Sequence, residues 1–316
     1  MTSVIKMKAS VDNTNLPILN EDGTISNYYI GRFKSALLSV GYELPQVKEA
    51  ALNAFIEDGI QKGWIDYVDY MLPFIGNSDH QNAAFAPLID RLGDYVIPVP
   101  DDTDAHITAA LHFSGTDVTG FGSSTDAAYP TIITIPLDYT RYKGVSVLTR
   151  LNENNIGGNS YICAHSKNDA ILLGIRRSPA DSNLQMSKRD SVEDESSTNI
   201  SQFNMASYGT FDLLISIYAD KDDGSNRRNL YIKTVGTLEP SLNLYHRTYS
   251  NGPVDFSSLG DMDFKIKRSI TGYPNCAFTG YLPYWMAINP YIPQNNISDL
   301  VKAVETLCTA LGRDPE

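Results

Sequence analysis

The sequence predicts a mainly β protein, an antiparallel β-sandwich with a small N-terminal helical subdomain and a C-terminal helix. Three observations predict it. Beyond residue 104, short β-rich runs separated by turn residues follow one another with no helix between them, as in an antiparallel sandwich. Before residue 77, apolar residues recur at three- and four-residue spacing, the period of an amphipathic helix. Near the end, Ile297, Leu300, Val301, Val304, Leu307, Cys308 and Leu311 repeat that spacing over the longest stretch in the chain.

Residues 1–27 carry scattered polar residues, Pro17 and a turn at Glu21-Asp22-Gly23, and read as an extended arm. Residues 28–76 form the helical subdomain. Ile30, Phe33, Leu37 and Val40 share one face, and Val47, Ala50, Ala51, Ala54 and Phe55 make the next, with Pro45 suited to its first turn. Trp64, Ile65, Val68, Met71 and Leu72 suggest a third short helix stopped by Pro73. Residues 77–103, broken by Pro87, Pro98 and Pro100, are an irregular connector.

Residues 104–316 hold the sandwich and the last helix. Strands are predicted at 107–113, 131–137, 144–151, 160–165, 170–176, 184–187, 211–218, 229–235, 264–270 and 278–288. Asn168-Asp169, Asp222-Asp223-Gly224 and Asn251-Gly252 supply turns. The acidic, serine-rich stretch from Arg189 to Gln202 reads as an exposed loop. Asn296 can cap the terminal helix and Gly312 can close it.

Composition narrows the function. The chain has 316 residues, 42% hydrophobic and 20% charged, enough to bury a core and too apolar for a disordered chain. Lys plus Arg is 25 against 37 for Asp plus Glu, a net charge of −12, which disfavours binding nucleic acid or an anionic membrane. Cys163, Cys276 and Cys308 are too few and too widely spaced for a disulfide framework or a zinc site. Lys6 and Lys8 interrupt the first apolar stretch, which therefore does not read as a secretory signal. The uncharged run from Ser269 to Ser298 contains Pro274, Pro283, Pro290 and Pro293, so membrane insertion is not expected.

The search for chemistry yields little that resembles a catalytic set. His106 and His112 would share a sheet face in one strand, where the simplest reading is packing with local hydrogen bonds. Glycosidic chemistry needs two carboxylates converging on one bond. Asp261-Met-Asp263, Asp220-Lys-Asp222 and Glu193-Asp-Glu195 all read as solvated turns or loop. Asp220, Asp222 and Asp223 are the candidate metal ligands, as hard cations want several oxygens on a tight turn, but Gly224 comes one position early for an EF-hand and Arg227 and Arg228 oppose a cation. Gly120-Phe121-Gly122 and Gly157-Gly158 read as turns, without the context of a phosphate cradle. No cofactor is expected. Tyr281, Tyr284 and Trp285 are the candidate binding residues, since aromatic rings stack on sugars and anchor interfaces at little rotamer cost. In a strand unbroken by Pro283, Tyr281 and Trp285 would share a face opposite Tyr284.

Val40-Gly-Tyr42, Ala51-Leu-Asn-Ala-Phe55, Gly63-Trp-Ile65, Leu72-Pro-Phe-Ile-Gly76, Asp104-Ala105 and Leu111-His-Phe-Ser-Gly-Thr116 resemble a segment of tailed-bacteriophage virion proteins. There it precedes a jelly roll similar to concanavalin A and laminin-G domains. The run Phe278-Thr-Gly-Tyr281 to Ile288, followed by the helix from Asn296, resembles the closing strand and terminal helix of phage lectin-like domains. The resemblance spans Tyr28 to Gly312. It departs at Leu88-Ile-Asp-Arg-Leu92, where such relatives often carry a basic Asn-Leu-Lys segment, and matches no calcium or sugar ligand of a lectin.

The resemblance implies a non-enzymatic structural component of a virion, made in the host cytoplasm: a head or tail fibre or decoration protein with a lectin-like adhesion module. Its partners would be other virion proteins, copies of itself and host-surface glycan. The alternative is a glycan-active enzyme, a depolymerase or glycosidase, on the same sandwich.

Overall fold

The computed structural model describes residues 18–19, 25–26, 28–91, 97, 107–108, 111–122, 133–137, 144–152, 161–166, 171–177, 183–187, 197–204, 209–219, 222, 226–236, 247–249, 262–266 and 281–313. A short hairpin, β1 (Ile18–Leu19) with β2 (Ile25–Ser26), flanks the predicted turn at Glu21-Asp22-Gly23. It is followed by α1 (Tyr28–Ser39), α2 (Gln46–Lys62), a 3-10 turn at Trp64–Tyr67, β3 (Val68–Leu72), a second 3-10 turn at Gln81–Phe85 and β4 (Ile89–Asp90). A hairpin of β5 (Leu111–Ser114) and β6 (Asp117–Phe121) follows. Then come β7 (Ile133–Leu137), β8 (Gly144–Asn152), β9 (Tyr161–Ser166), β10 (Ile171–Arg177), β11 (Asn183–Ser187) and β12 (Ser197–Asn204). The chain continues through β13 (Thr210–Ala219), β14 (Asn226–Thr234), β15 (Arg247–Tyr249), β16 (Met262–Ile266) and β17 (Trp285–Ile288), and α3 (Gln294–Ala310) is the last element.

The fold is the mainly β, antiparallel sandwich that the sequence predicts, with helices from both ends of the chain. Seven strands run in the order β15-β14-β13-β8-β17-β3-β4, and six in the order β12-β11-β10-β9-β16-β7. Every described pairing is antiparallel. The chain crosses repeatedly from one sheet to the other, so strands distant in sequence become neighbours, as β3 and β17 do.

Across five of its strands the seven-stranded sheet is buried on both faces. On one face Met71, Met286, Leu148, Leu214 and Tyr231 form a row across five strands, each directly opposite the next. Leu300, Val301, Val304, Leu307 and Cys308 of α3 join that row in one core, together with Leu52, Phe55 and Ile56 of α2 and Ile30, Phe33 and Leu37 of α1. On the other face Leu72, Trp285, Thr149, Leu213 and Ile232 make a second buried row. Such double burial explains why β8 and β13 read as nearly continuous apolar runs.

Several expectations change with the structure. Trp64 to Leu72 is one 3-10 turn and then a strand, because Val68, Met71 and Leu72 fit a strand covered on both sides as well as a helix. The helices of residues 28–76 do not make a core of their own but share one with the sheet and α3. In α2 the buried face is Leu52, Phe55, Ile56 and Gly59, while Val47 is 76% exposed, since the alanines expected beside it offer too little area to set the helix's orientation. The connector contributes β4 to the sheet edge, and the second half of the serine-rich stretch pairs as β12. Gly120 and Phe121 belong to β6 rather than to a turn. Pro293 precedes the first turn of α3, so Asn296 lies inside the helix and donates to the Lys62 carbonyl at 3.3 Å, whereas Gly312 closes the helix at φ 65° as predicted. No described helix is long and apolar enough to cross a membrane.

Candidate functional site

Pro283 divides the aromatic candidates between two surroundings. Beyond it, β17 begins at Trp285, and the pleat sends Tyr284 and Trp285 to opposite faces of the seven-stranded sheet. Trp285 is fully buried, edge-on to Tyr70 with ring centroids 6.3 Å apart. Tyr284 is 1% exposed on the helix side, and its hydroxyl donates to Asp212 Oδ1 at 2.8 Å. Both rings are packing residues, with no face open to a sugar. Burial and then the Asp212 charge push the Tyr284 hydroxyl well above its usual value, so it remains a donor.

Asp212 is the centre of a polar row two residues along from the apolar one. Arg150 of β8 and Lys233 of β14 sit directly across from it on either side. Arg150 Nε donates to Asp212 Oδ1 at 2.8 Å and Nη2 to Oδ2 at 3.1 Å, a two-point fork that matches guanidinium to carboxylate. Burial opposes the Arg150 charge, but the facing Asp212 carboxylate outweighs it and raises the guanidinium above its ordinary value. Lys233 turns instead to Glu305 of α3, whose other oxygen accepts the Gly236 amide at 2.8 Å. Further out along the same face, Asn152 donates to Thr210 Oγ1 at 2.7 Å. The row therefore fastens the terminal helix to the sheet.

Tyr281 lies apart, on the β5–β6 hairpin. Its hydroxyl donates to the Thr119 carbonyl at 2.9 Å, and its ring is edge-on to His112 with centroids 5.0 Å apart. His112 is directly opposite Gly120 in the hairpin, and the Tyr281 ring occupies the space a side chain at 120 would need: a Cβ there would come 2.3 Å from Cε2. Reciprocal backbone bonds between Phe121 and Leu282, at 2.8 and 2.6 Å, hold the segment in place. Tyr281 and His112 are both half-buried, so this hairpin presents an aromatic surface that remains in part accessible.

The other candidates are placed less fully. Asp222 is exposed at the β13–β14 turn, while Asp220 and Asp223 lie outside the described residues, as do His106 and Glu193 to Glu195. Among the described residues no three His, Cys, Asp or Glu side chains gather as a metal site would require. Two of the described carboxylates on the helices are engaged in holding the fold: Glu49 meets Lys34 at 2.7 Å, and Asp58 meets Lys62 at 2.7 Å and the Trp64 indole at 2.9 Å. Outside α3 an open depression of about 490 Å³ is lined by Lys302, Glu305, Thr306, Thr309 and Ala310.

The sequence reading missed Arg150, Asp212 and Arg313. The first two carried a signal, a charge at a core-facing position of an otherwise apolar strand. Arg313 carried none.

No known family's model matches the chain, and no curated protein is similar enough to match. Among solved structures, the carbohydrate-binding module CBM40 of the Ruminococcus gnavus IT-sialidase is 9% identical with a TM-score of 0.35, over 58% of this chain and 96% of its own. The binding domain of botulinum neurotoxin DC in complex with SialylT is 16% identical with a TM-score of 0.38, over 61% of this chain and 44% of its own. A GH54 α-L-arabinofuranosidase mutant is 10% identical with a TM-score of 0.34, over 63% and 43%. The overlap is loose in all three.

Proposed function

We propose that the chain is a non-catalytic contact module, a lectin-like sandwich that binds protein or glycan at its surface as a head or tail fibre or decoration component of a tailed-phage virion. The observation that carries the non-catalytic reading is the use of polar groups in the described interior. Asp212 is saturated by Arg150 and Tyr284, and Glu305 by Lys233 and the Gly236 amide. A general acid or nucleophile needs a carboxylate facing open space with a second one across the scissile bond, and these carboxylates face their own partners. The half-buried Tyr281 and His112 offer contact area of the kind that interfaces use. The virion setting is supported by the spaced motifs from Val40 to Thr116 and by the closing strand and helix.

Two measurements on the full chain test the proposal together. Immunogold electron microscopy of intact particles is expected to find the protein on virions. Incubation with bacterial surface polysaccharide is expected to show retention without new reducing ends. Absence from particles overturns the virion setting, and release of reducing ends overturns the non-catalytic reading.

A further inference from the structure

The pairing of β3 with β17 stops where both strands run into proline. Trp285 lies opposite Leu72, and the residues next in line are Tyr284 and Pro283 on one side and Pro73 and Phe74 on the other. Neither proline has an amide hydrogen, so the ladder cannot continue. Phe74 leaves the strand at φ 47°, a left-handed conformation that turns the chain away. The carbonyls of Pro73, Phe74 and Pro283 are thus gathered at a buried sheet end without ladder donors.

Arg313 meets all three. Its Nη1 donates to the Pro73 and Pro283 carbonyls, the latter at 2.6 Å, and Nη2 donates to the Phe74 carbonyl at 2.9 Å. The side chain is 4% exposed and, among the described residues, has no ion-pair partner. A planar cation with donors fixed in a fork and weak hydration suits such a set of carbonyls, whereas a compact ammonium would keep more of its water.

We propose that this sheet end is a receptor site for a guanidinium group, which the chain fills with its own Arg313. The turn after α3 then acts as a latch. It grips Pro283, and through Leu282 and its paired bonds to Phe121 it holds the β5–β6 hairpin that carries His112 and Tyr281.

Amide hydrogen exchange on full-length Arg313→Ala and Arg313→Lys tests the latch. In R313A the Phe121 and Leu282 amides are expected to exchange about tenfold faster or more, the effect of losing charge-assisted bonds from a local unit. The Ile215 amide, in the middle of β13, is expected to keep its rate. Guanidinium chloride at low millimolar concentration, far below denaturing levels, restores slow exchange in R313A, and sodium chloride at the same ionic strength does not. R313K is expected to lie between the two proteins, which keeps the test alive if R313A does not fold. Unchanged exchange at Phe121 and Leu282 in either variant, equal acceleration at Ile215, or equal rescue by sodium chloride would each overturn the proposal.

Discussion

Arg150 and Arg313 are both buried guanidinium groups near α3, and their charges are compensated in opposite ways. Arg150 faces a carboxylate inside the sheet, and Asp212 raises its hold on the proton although burial works against it. Arg313 faces three carbonyl dipoles, and burial pulls it below its usual value. Removing one member of the first pair strands an opposite charge in the core. Removing Arg313 leaves only neutral carbonyls, which water entering the vacated space can satisfy. The two regions thus have the same ion but very different costs of failure.

The largest expected effect breaks the first region. Asp212→Ala leaves Arg150 without its carboxylate and Tyr284 without its acceptor, and should cost about 3–5 kcal/mol in chemical denaturation. The double variant Arg150→Met with Asp212→Leu should recover to within about 1 kcal/mol of the parent, because an ion pair replaced by packed apolar groups is often neutral. A small loss in the single variant would mean that the row does not carry this energy.

The same contrast explains how far the sequence could be read. Strands β8, β10 and β13 were legible to within one or two residues because short apolar, β-rich runs bounded by turn residues mark them. The charges at 150 and 212 stood out in those runs but named no partner, since register between strands 62 positions apart is a tertiary property. Arg313 was illegible because its partners are backbone carbonyls, one of them 240 positions away, and every residue has a carbonyl. The aromatic candidates show the reverse. Tyr284 and Trp285 looked available, but a strand central in its sheet with both faces covered buries whatever it carries. Only Tyr281, on the near side of Pro283, escaped full burial.

A middle-sized effect probes the region that Arg313 holds. Gly120→Ala would bring a Cβ 2.3 Å from the Tyr281 ring and 2.7 Å from the Leu282 carbonyl. The ring can swing away, but the carbonyl is fixed by its bond from the Phe121 amide. The expected cost is about 1–3 kcal/mol, as for overpacking elsewhere. Adding Tyr281→Ala should recover only part of it, and full recovery would show that the backbone contact is not the obstacle. Exchange at Ile215 should not respond, because the Asp212 row lies outside the hairpin.

The smallest effect separates the two regions by pH. Burial would raise the Glu305 carboxyl, but the bond from Lys233 and the Gly236 amide outweigh it and set it below the ordinary 4.5. A carboxyl lowered on folding contributes stability that is present above its unfolded value and is lost as pH falls through the folded one. Glu305→Gln should therefore lower Tm slightly at pH 7, by an amount corresponding to about 1 kcal/mol, since Glu305 is partly exposed and the Gln amide oxygen can still accept from the buried Lys233. That difference from the parent should shrink as pH falls below 4.5. The carbonyls that hold Arg313 do not titrate, and R313K keeps the positive charge on which the more distant Asp117 acts, so the deficit of R313K should stay level over the same range. Thermal melts of parent, E305Q and R313K from pH 7 down to the acid limb are expected to show one curve converging on the parent and one running parallel to it. If both converge, Arg313 depends on an acidic group as Arg150 does, and the distinction between the two buried cations fails.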